Sequence, residues 1–164
     1  MATPGNSGRT RPSRRRDAVA LLKADHRQVK QWFAQFARTS NHARQNSLAR
    51  DICHALRLHT TIEEEIFYPA FLEATHDKDI HHKAEVEHYG AKELVAEIER
   101  SSASDDYFRA KVNVLGEMIK HHVKEEEKSG GMFSEARKAK MDLLALGERL
   151  AERKSQLETM EKAA

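Results

Sequence analysis

The sequence predicts an all-α protein, an antiparallel up-down four-helix bundle with an additional C-terminal helix. Apolar residues recur at intervals of three and four positions along most of the chain, as on the buried face of a helix. Charged residues make up 33% and aromatic residues only 6%, a composition typical of amphipathic helices. Seven glycines and three prolines in 164 residues are too few for the frequent turns of a sheet protein.

The first two helices are predicted from this spacing and its interruptions. Residues 17–38 form the first helix, and Thr39-Ser40-Asn41 can cap the next one. The second helix is expected over residues 43–73. Pro69 lies near its end and should kink or end it, because proline lacks a backbone donor and clashes with the preceding turn.

Three further helices follow. The third is predicted over residues 77–100, and the polar stretch 101–106 separates it from a fourth that extends to about residue 128. Ser129-Gly130-Gly131 interrupts helical propensity. A fifth, more exposed helix is expected over residues 134–160. The short loops make consecutive helices antiparallel neighbours.

The chain is expected to hold one folded domain. We predict a disordered basic tail over residues 1–16, the bundle over 17–135 and the C-terminal helix over 136–164. The tail carries five arginines and no acidic residue, so it is either a solubilising segment or a weak, non-specific contact for nucleic acid or anionic lipid.

Other features bear on location and redox chemistry. No apolar run reaches membrane-spanning length and the N-terminus lacks the apolar core of a signal peptide, so the expected location is cytoplasmic. Cys53 is the single cysteine, which excludes both an internal disulfide and a thiolate metal cage.

Four of the ten histidines share a face with apolar residues, one on each predicted bundle helix: His26, His59, His88 and His122. Each is separated from the next by one helix plus one loop, so the four imidazoles can meet at a similar depth. Their apolar neighbours offer no hydrogen-bond partner, whereas a shared metal cluster would satisfy all four. A purely structural histidine cluster is the alternative.

Two of these histidines precede a glutamate on the same face by one helical turn, as His59–Glu63 and His122–Glu126. A buried carboxylate is costly unless it is paired or binds a cation. Two glutamates from different helices can bridge two metal ions while imidazoles complete the coordination, and this donor set suits iron, manganese or zinc. The neighbouring acids Glu64, Glu65, Glu125 and Glu127 are expected to form an acidic rim.

The strings around these residues resemble the hemerythrin family in its HHE cation-binding branch, of the bacterial type. They are LLKADHRQVKQWF around His26, HTTIEEEIFYPAF from His59, EVEHYGAKELVAEI around His88 and HHVKEEEKSGGMF from His121. The resemblance covers about residues 17–135 and implies two non-haem iron ions, with manganese or zinc less favoured. The implied ligands are His26, His59, Glu63, His88, His122 and Glu126, with both glutamates as bridges.

Two positions depart from the oxygen-carrying hemerythrins that the chain resembles. Ala84 stands where those proteins have a second histidine one turn before the third-helix histidine. Their last carboxylate is an aspartate at i+5, where this chain has Glu126 at i+4. One ion would therefore lack a protein nitrogen, and water, Glu85 or His81 could fill the gap. A less saturated centre is expected to react with its ligand, or lose metal, more readily than a reversible carrier.

Several functions remain open at this point. The leading one is a di-iron protein that binds or reacts with dioxygen, peroxide or nitric oxide, either as a carrier or as an enzyme. An apolar lining is expected to keep bulk water out: Leu22, Val29, Ile62, Ile66, Met118 and Ile119. The alternative is an iron- or oxygen-sensing module whose metal occupancy controls partner binding. A nucleic-acid binder that uses the arginine tail is the third.

Overall fold

The computed structural model describes residues 15–164, which form seven α-helices and no strand in that range. Residues 1–14, most of the predicted basic tail, lie outside the described part. The helices are α1 (Ala18–Arg38), α2 (His42–Ile62), α3 (Tyr68–Thr75), α4 (Lys78–Glu99), α5 (Phe108–Glu127), α6 (Met132–Lys138) and α7 (Leu143–Ala163).

Side-chain caps set the start of four helices. Asp17, Asn41, Asp77 and Asp142 each accept a hydrogen bond from the backbone N–H three residues ahead, at 2.8–3.1 Å. Such a cap satisfies one of the amides that the first helical turn leaves without a partner. The predicted capping role of the Thr39-Ser40-Asn41 run is therefore confirmed, with Asn41 as the capping residue.

The predicted fold class is confirmed. α1, α2 with its continuation α3, α4 and α5 form the antiparallel bundle, and α7 packs outside it against α1 and α2. The expected fifth helix differs in detail, because the chain breaks between α6 and α7, where Lys140 adopts a φ of 56°. No helix among residues 15–164 is long and apolar enough to cross a membrane.

The predicted kink at Pro69 takes the form of a π-helical turn over Glu63–Phe67, which joins α2 to α3 without a break. The N–H of Tyr68 bonds to the carbonyl of Glu63, five residues back. Pro69 follows in the first turn of α3, where its missing N–H leaves the carbonyl four residues earlier without its usual helical donor. A wider turn accommodates that loss, and π turns are frequent at functional sites.

Two apolar clusters fill the bundle, one towards each end. The first joins Leu22, Ile62 and Ala84 to α6 and α7, and the second joins Val29, Leu56, Ala91 and Ile119. His26, His59 and His88 each lie between these two sets along their own helices, and His122 follows the residues of the second set on α5. The arrangement leaves a polar layer across the middle of the core.

Candidate metal centre

The six side chains predicted as ligands converge in this polar layer. All six are at most 5% exposed, with Glu63 fully buried. They come from α1, α2, the π turn, α4 and α5, so the centre is built across the whole bundle. Phe133 of α6 stacks on the imidazole of His26, with ring centroids 5.9 Å apart, and so covers one side of the centre.

The imidazoles meet in two pairs. His26 Nε2 lies 3.1 Å from His59 Nε2, and His88 Nε2 lies 3.1 Å from His122 Nε2. At this distance a proton on one nitrogen of each pair forms a hydrogen bond to the lone pair of the other. A metal cation can take the place of that proton, because each imidazole then offers it a lone pair.

The two glutamates connect the pairs. Glu63 places Oε1 3.2 Å from His59 Nε2 and Oε2 3.1 Å from His88 Nε2, so one carboxylate reaches both pairs. Glu126 Oε1 lies 3.1 Å from His122 Nε2 and 3.5 Å from His26 Nε2. The result is two adjoining groups of nitrogen and oxygen donors with Glu63 common to both, and Glu126 of the first group also contacts His122 of the second.

Four further carboxylates hold the imidazoles from behind. His59 Nδ1 lies 3.1 Å from Asp25, His88 Nδ1 3.0 Å from Glu64 and His26 Nδ1 3.1 Å from Glu127, all hydrogen-bond distances. Because a carboxylate only accepts, each Nδ1 donates and each Nε2 is turned to the centre. The fourth contact, from His122 Nδ1 to Glu87, is 3.6 Å, which is an ion-pair distance and too long for a hydrogen bond.

These contacts form a closed cycle around the bundle. α1 supplies Asp25 to the histidine of α2, the π turn supplies Glu64 to α4, α4 supplies Glu87 to α5, and α5 supplies Glu127 to α1. We call this the carboxylate cycle. Metal-binding histidines commonly donate their second N–H to a carboxylate, which fixes the orientation of the imidazole and raises its basicity.

The buried oxygens fit cation ligation better than pairing among themselves. Glu63 Oε1 and Glu126 Oε1 are inaccessible to solvent, and neither has a hydrogen-bond partner among residues 15–164. Both nevertheless lie within 3.2 Å of an imidazole nitrogen, in an alignment that fails as a hydrogen bond. A misaligned approach of this kind is expected when both atoms point at a common third position. The donor set therefore fits a metal cation of the class of iron, manganese or zinc.

The electrostatics of the centre favour positive charge. Burial opposes the charge on His59, yet the carboxylates of Glu63 and Asp25 outweigh it and raise its pKa to about 10. Burial opposes the charge on His122 as well, and Glu126 raises its pKa to about 11. For Glu63, burial is outweighed by His59 and His88, so its pKa lies well below the usual value. The same negative potential that holds these protons would attract metal cations.

Tyr68 is a residue of the centre that the sequence prediction missed. Its hydroxyl lies 2.9 Å from His88 Nε2 and 3.2 Å from both the Glu63 and Glu126 Oε2 atoms. Residues five apart do not share a face of an α-helix, but the π turn brings Tyr68 beside Glu63. Burial first, and then the two glutamates, raise the pKa of Tyr68 well above its usual range.

The Tyr68 ring packs in the same buried cluster as Ala84. The tyrosine hydroxyl adjoins the His88–His122 pair, the side that would lack a protein nitrogen. His81 and Glu85, proposed from the sequence as possible fillers, belong instead to a separate group with His82 at the start of α4. The only sequence signal for Tyr68 is the Tyr-Pro string that follows His59 in the family resemblance, and that string does not indicate where the hydroxyl points.

The predicted acidic rim divides into two kinds of residue. Glu64 and Glu127 belong to the carboxylate cycle, whereas Glu65 pairs with Arg153 and Glu125 pairs with Lys83 and Lys128 at the surface. Asp25 and Glu87 were not predicted. All four members of the cycle share one signal, because each directly adjoins a predicted ligand in the sequence, as in Asp25-His26 and Glu126-Glu127.

His54, His121 and Cys53 are not among the residues of the centre. His54 and His121 have side chains 45% and 60% exposed and pair with Glu161 and Glu87. Cys53 is buried, and that burial raises the pKa of its thiol to about 12, in keeping with an inert side chain.

A small cavity of about 20 Å³ adjoins the four histidines. Its apolar walls include Val29, Leu56, Ile119 and Val123. A space of this size holds about one water-sized molecule. Of the apolar residues predicted to line the site, Val29 and Ile119 border this cavity, while Leu22 and Ile62 are buried in the adjoining cluster and Ile66 and Met118 pack partly buried beside the core.

The chain is similar to known proteins in sequence and in fold. A model of the hemerythrin HHE cation-binding domain matches residues 17–129. A search of curated proteins gave no match. Among solved structures, the fold is similar to the crystal structure of a hemerythrin HHE cation-binding domain-containing protein from Mycobacterium kansasii, a homolog of Rv2633c, with a TM-score of 0.71, 23% identity and 86% of each chain covered. On the match over residues 17–129, the chain belongs to the hemerythrin HHE cation-binding domain family.

Proposed function

We propose that the chain binds two metal ions, preferably iron, and that the non-haem di-iron centre binds or reacts with a small oxidant such as dioxygen, peroxide or nitric oxide. The observation that carries the proposal is the arrangement of two imidazole pairs that share two buried glutamates. His26 and His59 would hold one ion and His88 and His122 the other, with Glu63 and Glu126 shared and Tyr68 on the second side.

When bound, the ions would supply an open coordination position and electrons for a small oxidant. The chain's own residues perform the other tasks. The hydrogen bonds of Glu127, Asp25 and Glu64 keep Nε2 of His26, His59 and His88 directed inwards, and the apolar cavity walls exclude bulk water. The Tyr68 hydroxyl keeps its proton near neutral pH, so it can donate a hydrogen bond within the centre.

The proposal is tested by the metal content and absorption spectrum of anaerobically prepared protein. We expect two irons per chain and a charge-transfer band that appears on adding air and shifts with azide. Two results together would contradict the redox part of the proposal. They are stoichiometric zinc in the purified protein, and no optical change on adding air after reconstitution with iron.

Matched variants test which residues hold the metal. His59→Ala and Glu126→Ala each remove a donor from the shared layer, so we expect the loss of at least half of the bound metal, measured by elemental analysis. His54→Ala is the control, because its side chain is 45% exposed and pairs with Glu161. Equal metal content in all four proteins would refute the assignment.

A second candidate function is a sensor in which metal occupancy controls partner binding. One observation favours it. Lys154 of α7 binds Asp25 at 2.6 Å, and Asp25 in turn accepts from His59 Nδ1, so an outer helix is linked to the centre through two polar contacts. A partner that binds α7 would sense changes at His59.

Turnover separates the two functions. Catalytic release of oxygen from peroxide by the iron-loaded protein would favour an enzyme. Metal-dependent partner binding without turnover would favour a sensor. The cytoplasmic location predicted from the sequence is part of either proposal, and cell fractionation with an antibody to the chain would check it.

A further inference from the structure

A second group of potential ligands lies at the start of α4, outside the buried layer. It consists of His81, His82 and Glu85, whose donor atoms all lie within 4.8 Å of one another. His81 is 7% exposed, whereas His82 and Glu85 are open to solvent. A solvated ion could therefore reach the group directly.

The two imidazoles face each other although they are consecutive in the sequence. Neighbouring residues on a helix point about 100° apart, so their side chains normally diverge. Here His81 Nδ1 lies 2.9 Å from His82 Nδ1, whereas Glu85 Oε1 lies 3.6 Å from the opposite ring nitrogen, His81 Nε2. Because one ion can bind only one nitrogen of an imidazole, an ion held by the two Nδ1 atoms would recruit Glu85 by rotation of that exposed side chain. Metal–nitrogen bonds of about 2.0–2.1 Å place two adjacent nitrogen ligands roughly 3 Å apart, which the histidine pair matches.

The chemistry of the group selects a class of ion. Two imidazoles and one carboxylate suit zinc and the divalent first-row transition metals, whereas magnesium and calcium prefer sets made only of oxygen. Water can complete the coordination, because two of the three side chains are exposed. Such a site would be labile and would exchange ions with solution.

The position of the group relates it to the buried centre. The His81 ring packs edge-on against the Tyr68 ring, with centroids 6.2 Å apart, and the Tyr68 hydroxyl lies among the buried donors. One aromatic side chain therefore separates the exposed group from the centre. The cavity between the histidine pairs is too small for a hydrated cation, at about 20 Å³.

We propose that His81, His82 and Glu85 form an exposed site for a divalent transition-metal cation, from which the ion passes to the buried centre behind Tyr68. The passage rests on the proposed function, since it requires a centre that takes up metal. The exposed site stands on its own geometry.

Zinc binding to the full chain tests the exposed site. By equilibrium dialysis, wild-type protein should bind one zinc more than His82→Ala, and Glu85→Gln should weaken that additional zinc by at least tenfold. His42→Ala is the matched control, because His42 is also an exposed histidine at the start of a helix and should leave the zinc content unchanged. Equal zinc in wild type and His82→Ala would overturn the proposal.

The rate of metal uptake tests the passage. After cobalt(II) is mixed with metal-free protein, His82→Ala should fill the buried centre at least fivefold more slowly, by visible absorption, and still reach the same occupancy. An unchanged rate would overturn the passage. The His59→Ala variant separates the two proposals. In this variant, adding His82→Ala should still remove one bound zinc, because the exposed site does not depend on the buried centre. If His59→Ala binds as much cobalt as the wild type, the buried centre and the passage are both overturned.

Discussion

The hydroxyl of Tyr68 occupies the junction between the two halves of the centre. It is fully buried and meets the imidazoles of His88 and His122 as well as both shared glutamates. The buried hydroxyl can orient the neighbouring imidazoles and carboxylates, and it carries one proton that it can donate to them. A phenylalanine at this position would remove the hydroxyl and leave the aromatic ring in place.

Tyr68→Phe should therefore leave the fold intact and weaken metal binding on the His88–His122 side. We expect a loss of metal affinity of about 10-fold, in the range seen when a supporting contact at a metal site is removed. Chelator competition with the iron- or zinc-loaded protein measures it. Tyr89→Phe, at a tyrosine 66% exposed on α4, is the control. Identical affinities in the three proteins would show that the hydroxyl takes no part in metal binding.

The residues of the centre differ in how readily the sequence indicates them. His26, His59 and His122 stand out by helical periodicity because their faces are apolar, whereas His88 rests partly on the resemblance to the hemerythrin family. Glu63 and Glu126 follow because each lies one turn after one of these histidines. Tyr68 does not follow, since only the π turn brings it beside Glu63. Asp25 and Glu87 do not follow either, because each supports a histidine on another helix, and the faces of one helix do not reveal what lies across from them.

At the scale of elements, α7 is tied to the bundle by a polar link and by close packing. Lys154 and Arg153 reach Asp25 and Glu65 near the centre. Gly147 lies so close to the start of α1 that a Cβ there would approach the Arg16 carbonyl to 2.3 Å. Both features let the outer helix stabilise the part of the bundle that carries His26 and His59.

Lys154→Met should loosen the centre while leaving its ligands in place. Without the lysine, the pKa of Asp25 should rise, because its burial is no longer offset by this cation, and the hydrogen bond to His59 should weaken. We expect a few-fold faster loss of metal to a chelator. Lys162→Met, an exposed change near the end of α7, should leave the rate unaltered. If both variants lose metal at the wild-type rate, α7 has no influence on the centre.

Gly147→Val should displace α7, because the side chain would collide with backbone that cannot move aside. Overpacking of this kind costs about 1–3 kcal/mol in the free energy of unfolding. Denaturant unfolding followed by circular dichroism measures it. At Gly90 an added Cβ would meet only the flexible end of Met118 at 3.2 Å, so Gly90→Ala should cost little or nothing. Equal destabilisation by the two changes would contradict this packing.

The sequence predicts the helices better than the breaks between them. Long apolar periodicity indicates α1, α2, α4 and α5 to within a few residues. The sequence does not predict the break between α6 and α7, because no glycine or proline lies between residues 132 and 143. The left-handed conformation falls on Lys140, a residue type that rarely adopts it, so packing of the flanking helices rather than local preference sets the break.

On the scale of the whole molecule, a charged layer separates the two halves of the apolar core. Without metal, this layer holds buried carboxylates and imidazoles whose charges must compensate one another. The raised pKa values of His59 and His122 stabilise the metal-free fold fully below the ordinary histidine pKa of 6.5, and this stabilisation is lost as the pH rises towards about 10 and 11.

Metal binding should reverse this dependence. Each ligating imidazole must give up its proton, so uptake releases protons and the affinity rises with pH. The glutamates stay ionised throughout, because their pKa values are lowered. The difference in melting temperature between loaded and metal-free protein should therefore widen from pH 7 to pH 9, measured by scanning calorimetry. A difference that narrows over this range would contradict the predicted protonation of the histidines.

The carboxylate cycle has a consequence for how the chain can vary in length. Every bundle helix both supports one neighbour and is supported by another, so inserting or deleting one residue within a helix would rotate two contacts out of place at once. Length changes in the loop between α4 and α5, or around α7, fall outside the helical stretches that carry the cycle and disturb neither contact. In related proteins with this cycle, insertions and deletions should therefore fall in the loop before α5 and around α7. The number of residues between the ligands and the carboxylates within each bundle helix should stay constant.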